Sequence, residues 1–178
     1  MPARVVTCSR LVVACLLAGA VPCACSSDPT QGYSFHSSHD KGISSVNVVM
    51  FQNPTYYRGV EVELTDAIIK QIQAATPWKV TSASDAQTSL TGKITDVRMN
   101  RLSTSGKTGY IQELDYQVTI EFTWKDNRTG KILVSKRNFA ASDTFAPAQP
   151  VGERIESGEH GAVQRLAQDL VSAMRSNW

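Results

Sequence analysis

The stretch Leu114-Asp115-Tyr116-Gln117-Val118-Thr119-Ile120-Glu121-Phe122-Thr123-Trp124 decides the fold, because apolar and polar residues alternate along it without a break. Alternation with a period of two is typical of a β-strand with one buried and one solvated face. The apolar positions carry β-branched and aromatic side chains, and the stretch is longer than the usual strand of about five or six residues. It therefore predicts a long central strand with a partner on each side.

Turn-forming residues flank this strand. Residues 103–109 are polar and contain two glycines, and residues 126–130 end in Gly130, which can adopt the left-handed conformation that closes a tight turn. A meander of three strands is predicted, at about residues 88–102, 109–125 and 131–140.

The first strand of the meander contains a change of phase. Before residue 95 the residues on its apolar side have even numbers, namely Leu90, Gly92 and Ile94. After residue 95 they have odd numbers, namely Val97 and Met99. A β-bulge near Thr95-Asp96 would let both sets face the core, and we predict one there.

Two other segments have the period of an amphipathic helix. The first runs from Val60 to Ala75, and Pro77 follows its end. The second runs from about Glu153 to Arg175. Gly158 and Gly161 each destabilise the first half of this helix by roughly 1 kcal/mol relative to alanine. We therefore expect the helix to fray in that half or to begin after Gly161. Residues 141–152, which include two prolines, are predicted to form a loop.

A short apolar strand near residues 45–51 precedes the first helix, and Trp78-Lys79-Val80 can return parallel to it. The helices and the sheet each have one apolar face. The predicted fold is therefore an α+β two-layer sandwich, with two helices packed on one face of a mixed, mainly antiparallel four-stranded sheet. The opposite face of that sheet stays polar.

The first 25 residues have the composition of an export signal. Arg4 and Arg10 precede an uncharged apolar run that is too short to span a bilayer. All four cysteines lie in this segment, which excludes a disulfide framework in the folded domain. Cys25 is the candidate lipidation site, and the alternative is ordinary cleavage nearby without a lipid. We expect a signal over residues 1–25, a flexible tether over 26–43 and a single domain over 44–178.

The predicted mature chain is formally neutral. Removing Arg4 and Arg10 from the 18 basic residues leaves as many basic as acidic residues, since all 16 acidic residues follow Cys25. Nucleic-acid binding depends on a positive field that this balance does not provide. We expect no nucleic-acid partner.

The sequence contains no pattern typical of a catalytic or cofactor site. His36, His39 and Asp40 fit a solvated tether better than a metal site, because no cysteine and only one further histidine could join them. Ser105-Gly106-Lys107-Thr108 resembles the end of a phosphate-binding loop but lacks the earlier glycine and the following helix. We expect a non-enzymatic protein without a metal or cofactor.

Two basic clusters remain. Arg98, Arg101 and Lys107 lie in and beside one predicted hairpin loop, and Lys125, Arg128 and Lys131 surround the other turn. These are either the solvated charges of exposed turns or, for one loop, contacts to an anionic ligand such as a lipid phosphate. Arg98, Arg101 and Lys107 are the candidate ligand-binding residues.

Several short motifs occur in order between residues 32 and 175: Gly32-Tyr33-Ser34-Phe35, Val46–Asn53, Leu64–Ile68, Asp85-Ala86 with Leu90–Ile94, and Asn127–Leu133. Together they resemble the LptE family of lipopolysaccharide-assembly lipoproteins. The resemblance implies a lipid-anchored protein on the periplasmic face of the outer membrane, folded as two helices on a mixed sheet. It further implies that the protein assists assembly of the LptD-type β-barrel, plugs it and binds lipopolysaccharide.

A barrel lumen is polar and could accept the polar face of the sheet. The alternative function is that of another periplasmic lipoprotein, which regulates a cell-wall synthase or serves a different envelope exporter.

Overall fold

The alternating stretch forms the central strand of a three-stranded meander. The computed structural model describes residues 42–147 and 154–176. Its elements in chain order are β1 (Ser45–Val48), α1 (Val60–Ala75), β2 (Lys79–Val80), β3 (Thr88–Thr104), β4 (Ile111–Asp126), β5 (Ile132–Phe145) and α2 (Ile155–Ser176). The strands form one sheet in the order β2-β1-β3-β4-β5. β4 thus has a long partner on each side, as its pattern predicts.

One hydrophobic core joins the sheet to both helices. The even-numbered residues of β4 from Tyr116 to Trp124 are buried. They share a core with the apolar stripes of the helices, which include Leu64, Ile68 and Ile72 of α1 and Val163, Leu166 and Leu170 of α2. Both helices therefore pack on the same face of the sheet, as predicted.

The predicted strand count of four was wrong, because the sheet has five strands. The return strand expected at Trp78-Lys79-Val80 is confirmed and forms β2 at Lys79–Val80. β2 is two residues long and pairs in parallel with β1. β1 also pairs in parallel with β3, whereas β3 with β4 and β4 with β5 are antiparallel. Two of the four pairings are thus parallel, and the sheet is more evenly mixed than predicted.

The predicted β-bulge is confirmed. The pairing of β3 with β4 shifts between Ile94 and Asp96, so Ile94 and Val97 both face the core. The Thr95 hydroxyl donates a hydrogen bond to the Thr119 carbonyl oxygen at 3.1 Å, which ties the bulged residue to the neighbouring strand.

The prediction of a frayed second helix was wrong. α2 begins at Ile155, and its two glycines allow the helix to approach β5 closely. A β-carbon at Gly158 would overlap the Phe145 ring, and one at Gly161 would overlap the Asp143 carboxylate. Tertiary packing thus overrides the low helix propensity of glycine.

The predicted loop over residues 141–152 was also wrong in its first part. β5 continues to Phe145, whose ring is buried against α2. Residues 148–153, including Pro150, lie outside the described residues.

Asn127 in the β4–β5 turn joins that turn to the start of β3. Its side-chain oxygen accepts a hydrogen bond from the Ser89 hydroxyl at 2.6 Å, and its side-chain nitrogen donates to the Ala86 carbonyl at 2.8 Å. Ile43, near the first described residue, lines a cavity together with Asn127 and Thr88. The chain therefore enters the sheet at the end that carries this turn.

Candidate functional site

The face of the sheet opposite the helices is polar along the middle of its long strands, from Asp115 to Thr123 of β4. We define this open face by the residues of β3, β4 and β5 that pair with one another away from the core. On β4 these are Asp115, Gln117, Thr119, Glu121 and Thr123; on β3, Thr91, Lys93, Asp96 and Arg98; and on β5, Ser135, Ala140, Ser142 and Thr144. None of these side chains is a large apolar one.

Hydrogen bonds and ion pairs connect the strands across the open face. Lys93 and Glu121 form an ion pair of 2.9 Å between β3 and β4. The Thr123 and Ser135 hydroxyls lie 3.2 Å apart and join β4 to β5. These contacts hold the side chains in place before any partner binds, which lowers the entropy cost of association.

The β3–β4 hairpin carries all three predicted ligand-binding residues. Arg98 and Arg101 lie on β3 and Lys107 in the turn, and all three are exposed. Sixteen residues of β4 at about 3.4 Å each place this turn roughly 50 Å from the end where the chain enters the sheet. The basic cluster is therefore at the far end of the domain.

The structure does not bring the three cations together on one face. Arg98 pairs with Gln117 on the open face, whereas Arg101 pairs with Leu114 on the helix side. Arg98 also forms an ion pair with Asp96. Arg101 and Lys107 are the cations of the cluster for which the structure gives no acidic partner among the described residues.

Exposed apolar side chains accompany the cations on this hairpin, and no sequence pattern singled them out. Met99, Leu102 and Tyr110 are 37%, 56% and 59% exposed. Leu102 lies where the β3–β4 pairing shifts, so its place in the alternating pattern of the strand does not predict that it is exposed. An apolar surface beside cations suits a ligand that has both an anionic and an apolar part.

A second polar cluster joins the two helices to β4. The Tyr116 hydroxyl donates to Glu159 Oε2 at 3.4 Å, and His160 Nδ1 lies 2.7 Å from Glu63 Oε1. Burial, followed by the nearby Glu63 carboxylate, raises the pKa of Glu159 above its ordinary value of 4.5. Burial, followed by the charge of Glu159, also raises the pKa of Tyr116. The contacts link α1, α2 and β4, so a role in packing accounts for them.

Several sequence predictions concern residues outside the described part of the chain. Cys25, His36, His39 and Asp40 all precede residue 42. Within residues 42–147 and 154–176, no group of three or more His, Cys, Asp or Glu side chains could hold a metal ion. No helix in those ranges combines the length and apolar character needed to cross a membrane.

The fold first defines a class: a two-layer α+β domain whose long antiparallel strands leave one polar face away from the helices. The family model for lipopolysaccharide assembly, LptE, matches residues 43–176, which is most of the chain. The chain therefore belongs to the LptE lipopolysaccharide-assembly family, as its motifs indicated. This is a family of non-enzymatic lipoproteins that act in lipopolysaccharide transport, and membership indicates an envelope lipoprotein.

Solved structures share the fold at low sequence identity. A protein of Xanthomonas campestris superposes with a TM-score of 0.55 at 9% identity, covering 80% of this chain and 93% of that one. A dodecamer of a PelC point variant from Paraburkholderia phytofirmans gives a TM-score of 0.50 at 17% identity, covering 76% of this chain and 89% of that one. Such identities support the fold alone. No protein of curated function matches the chain.

Proposed function

We propose that this protein is an outer-membrane lipoprotein on the periplasmic side, which assists assembly of an LptD-type β-barrel and plugs it during lipopolysaccharide transport. Family membership supports the general role, and the open face supports the contact with a barrel. A barrel lumen is lined by polar side chains. A polar sheet face that spans about 30 Å along β4, from Asp115 to Thr123, and has no large apolar side chain there, is chemically matched to such a wall.

Co-purification tests the barrel contact. The full-length chain, affinity-tagged at its C-terminus, is extracted with the outer membrane in mild detergent, and we expect a large β-barrel to elute with it in a constant ratio. Thr119→Tyr puts a bulky ring in the middle of the open face and should reduce the barrel yield. Asp66→Tyr, on the exposed side of α1, is the matched control and should leave the yield unchanged. Elution of the wild-type chain without a barrel would refute the plug.

The basic hairpin is proposed to bind lipopolysaccharide through Arg98, Arg101 and Lys107. Lipopolysaccharide combines phosphate groups with acyl chains, and the hairpin presents cations beside exposed Met99 and Tyr110. Arg101 and Lys107 should contribute most, because Arg98 is already paired with Asp96.

Charge reversal separates this role from that of a solvated turn. Arg101→Glu with Lys107→Glu should weaken lipopolysaccharide binding at least about tenfold, which corresponds to one charge-assisted hydrogen bond of roughly 1.5 kcal/mol. Arg128→Glu with Lys131→Glu makes the same change of charge in the other turn and should leave binding unchanged. Each pair should alter the free energy of unfolding by less than about 0.5 kcal/mol. Equal binding by both variants would refute the hairpin site.

Lipidation at Cys25 is proposed as the anchor. Mass spectrometry of the mature N-terminal peptide should find a lipid-modified cysteine at position 25, and Cys25→Ser should release the protein from the membrane fraction. An unmodified N-terminus at a neighbouring residue would show ordinary cleavage instead.

A further inference from the structure

The two sides of the β3–β4 hairpin differ in charge. Residues 96–117 contain three acidic residues, and all three alternate with core-facing residues of their strands and so lie on the side of the open face: Asp96, Glu113 and Asp115. Arg98 lies on the same side and forms an ion pair with Asp96. An anion that approaches the hairpin from this side therefore meets three carboxylates.

The side of the hairpin that faces the helices carries Arg101 and none of these acidic residues. Arg101 pairs with Leu114, which packs against the core, so both residues lie on the helix side. Arg101 is exposed, and the structure gives it no acidic partner among the described residues. At the neighbouring ends of β5 and the helices, Asp143 is paired with Arg165 and Glu63 with His160. Arg101 is thus available to an incoming anion.

Exposed apolar side chains lie beside Arg101 on the helix side. Met99 is two residues before Arg101 on β3 and pairs with the buried Tyr116. Tyr57, in the segment before α1, is as exposed as Met99, and the centre of its ring lies 6.3 Å from that of Tyr116. The Asn53 side-chain nitrogen donates to the Tyr57 carbonyl oxygen at 2.6 Å, which holds this segment in place. Met99 and Tyr57 thus adjoin the same buried ring from two distant parts of the chain.

The first turn of α2 adds a further apolar side chain. Gly158 lies against the ring of Phe145, which pairs with Leu114, and position 161 contacts β5 two residues earlier, further from the hairpin turn. The helix therefore runs toward the hairpin turn as it is followed back to its start. Ile155, one turn before Gly158, is 48% exposed at that end. We call the surface formed by these residues the helix-side shelf: Tyr57, Met99, Arg101, Leu114 and Ile155.

We propose that lipopolysaccharide binds to the helix-side shelf, with Arg101 on one of its phosphate groups and an acyl chain along Met99 and Tyr57. A cation at the edge of an apolar surface fits an anionic amphiphile, and the shelf is continuous with the hairpin that carries the candidate ligand-binding residues. The inference deepens the proposed function and rests on its claim that the hairpin binds lipopolysaccharide. The lipid and the barrel would then contact opposite sides of the sheet, so both could be bound at once.

Site-specific photo-cross-linking in living cells tests the shelf with the full-length chain. Met99 and Asn100 are neighbours on β3, both exposed, and they point to opposite sides because Met99 pairs with Tyr116 and Asn100 with Asp115. Each is replaced in turn by a photoreactive amino acid. We expect an ultraviolet-dependent adduct with lipopolysaccharide from position 99 and none from position 100. Mass spectrometry of the lipid released from the adduct identifies it.

Variants in the position 99 probe background then test the chemistry. Arg101→Glu should reduce the adduct at least about fivefold, whereas Arg101→Lys keeps the charge and should retain most of it. Arg98→Glu makes the same change of charge on the open face and should also retain most of it. Tyr57→Ser should reduce the adduct at least about twofold, and Val62→Ser, at an exposed apolar position of α1, is its control. Thermal unfolding of each variant excludes loss of the fold as the cause.

The remaining outcomes separate the shelf from the proposed function. A lipopolysaccharide adduct from position 100 that depends on Arg98 and not on Arg101 would overturn the shelf and support binding by the hairpin. No lipopolysaccharide adduct from either position would overturn both. A phospholipid adduct from position 99 would overturn lipopolysaccharide as the occupant. An adduct from position 99 in a chain that elutes without a barrel would support the shelf and refute the plug.

Discussion

Replacing Gly158 by alanine should destabilise the protein, although the same change in an ordinary helix is stabilising. Alanine in a helix interior gains about 1 kcal/mol over glycine. At residue 158, however, the new β-carbon would overlap the Phe145 ring and lie 2.9 Å from its Cε1 atom. Relief of such overpacking typically costs about 1–3 kcal/mol. We expect a net loss of about 1 kcal/mol in the free energy of unfolding.

A double-mutant cycle isolates the cause. Phe145→Ala alone should cost roughly 3–5 kcal/mol, because it removes a ring that is buried between β5 and α2. In that background the obstacle is gone, so Gly158→Ala should now stabilise by about 1 kcal/mol. The two effects of the same substitution would differ by about 2 kcal/mol, which is the coupling energy between positions 145 and 158.

Urea unfolding, monitored by far-ultraviolet circular dichroism, measures the free energy of unfolding of wild type, the two single variants and the double variant. The four proteins must show equal slopes of this free energy against urea concentration before their midpoints are compared. Ser157→Ala, at an exposed neighbouring position, is the control and should stabilise slightly. A gain of about 1 kcal/mol from Gly158→Ala in both backgrounds would refute the close contact between α2 and β5.

Three further predictions concern the core, the turn and the helix contact. Phe122→Ala should lower the free energy of unfolding by roughly 3–5 kcal/mol, while Thr123→Ala on the open face should change it by less than about 0.5 kcal/mol; similar losses would refute the two-faced strand. Asn127→Ala should cost about 1–3 kcal/mol, since it leaves the Ser89 hydroxyl and the Ala86 carbonyl without this partner; no loss would contradict this role of the turn. The raised pKa of Glu159 means that the folded state favours the protonated carboxyl, so wild type loses stability as the pH rises through that pKa. Glutamine stays neutral, so the free energy of unfolding of Glu159→Gln should increase relative to wild type as the pH rises. Unfolding of both proteins between about pH 4 and pH 8 tests this, and a difference independent of pH would refute it.

Elements whose signals are local in the sequence were predicted well. α1 was predicted at both ends, because its apolar stripe is bounded by acidic residues at the start and by Pro77 after the end. The bulge in β3 was predicted because Ile94 and Val97 have incompatible parities if both face the core. In each case neighbouring residues contain the whole argument.

Elements that depend on distant contacts were predicted poorly. The start of α2 is stable because Gly158 and Gly161 fit against β5, and nothing within the helix itself indicates that fit. The end of β5 was missed for the same reason, since the burial of Phe145 becomes evident only when α2 is in place. Propensity describes an isolated segment, whereas these boundaries are set by packing between segments.

The same contrast between local sequence signals and contacts between distant segments applies to the candidate site. The polar face could be predicted because alternation along β4 assigns each residue to a face. The basic cluster was predicted from proximity in the chain, yet Arg98 and Arg101 are three positions apart on a strand and therefore point to opposite faces. The rule that revealed the open face would have separated these two arginines as well.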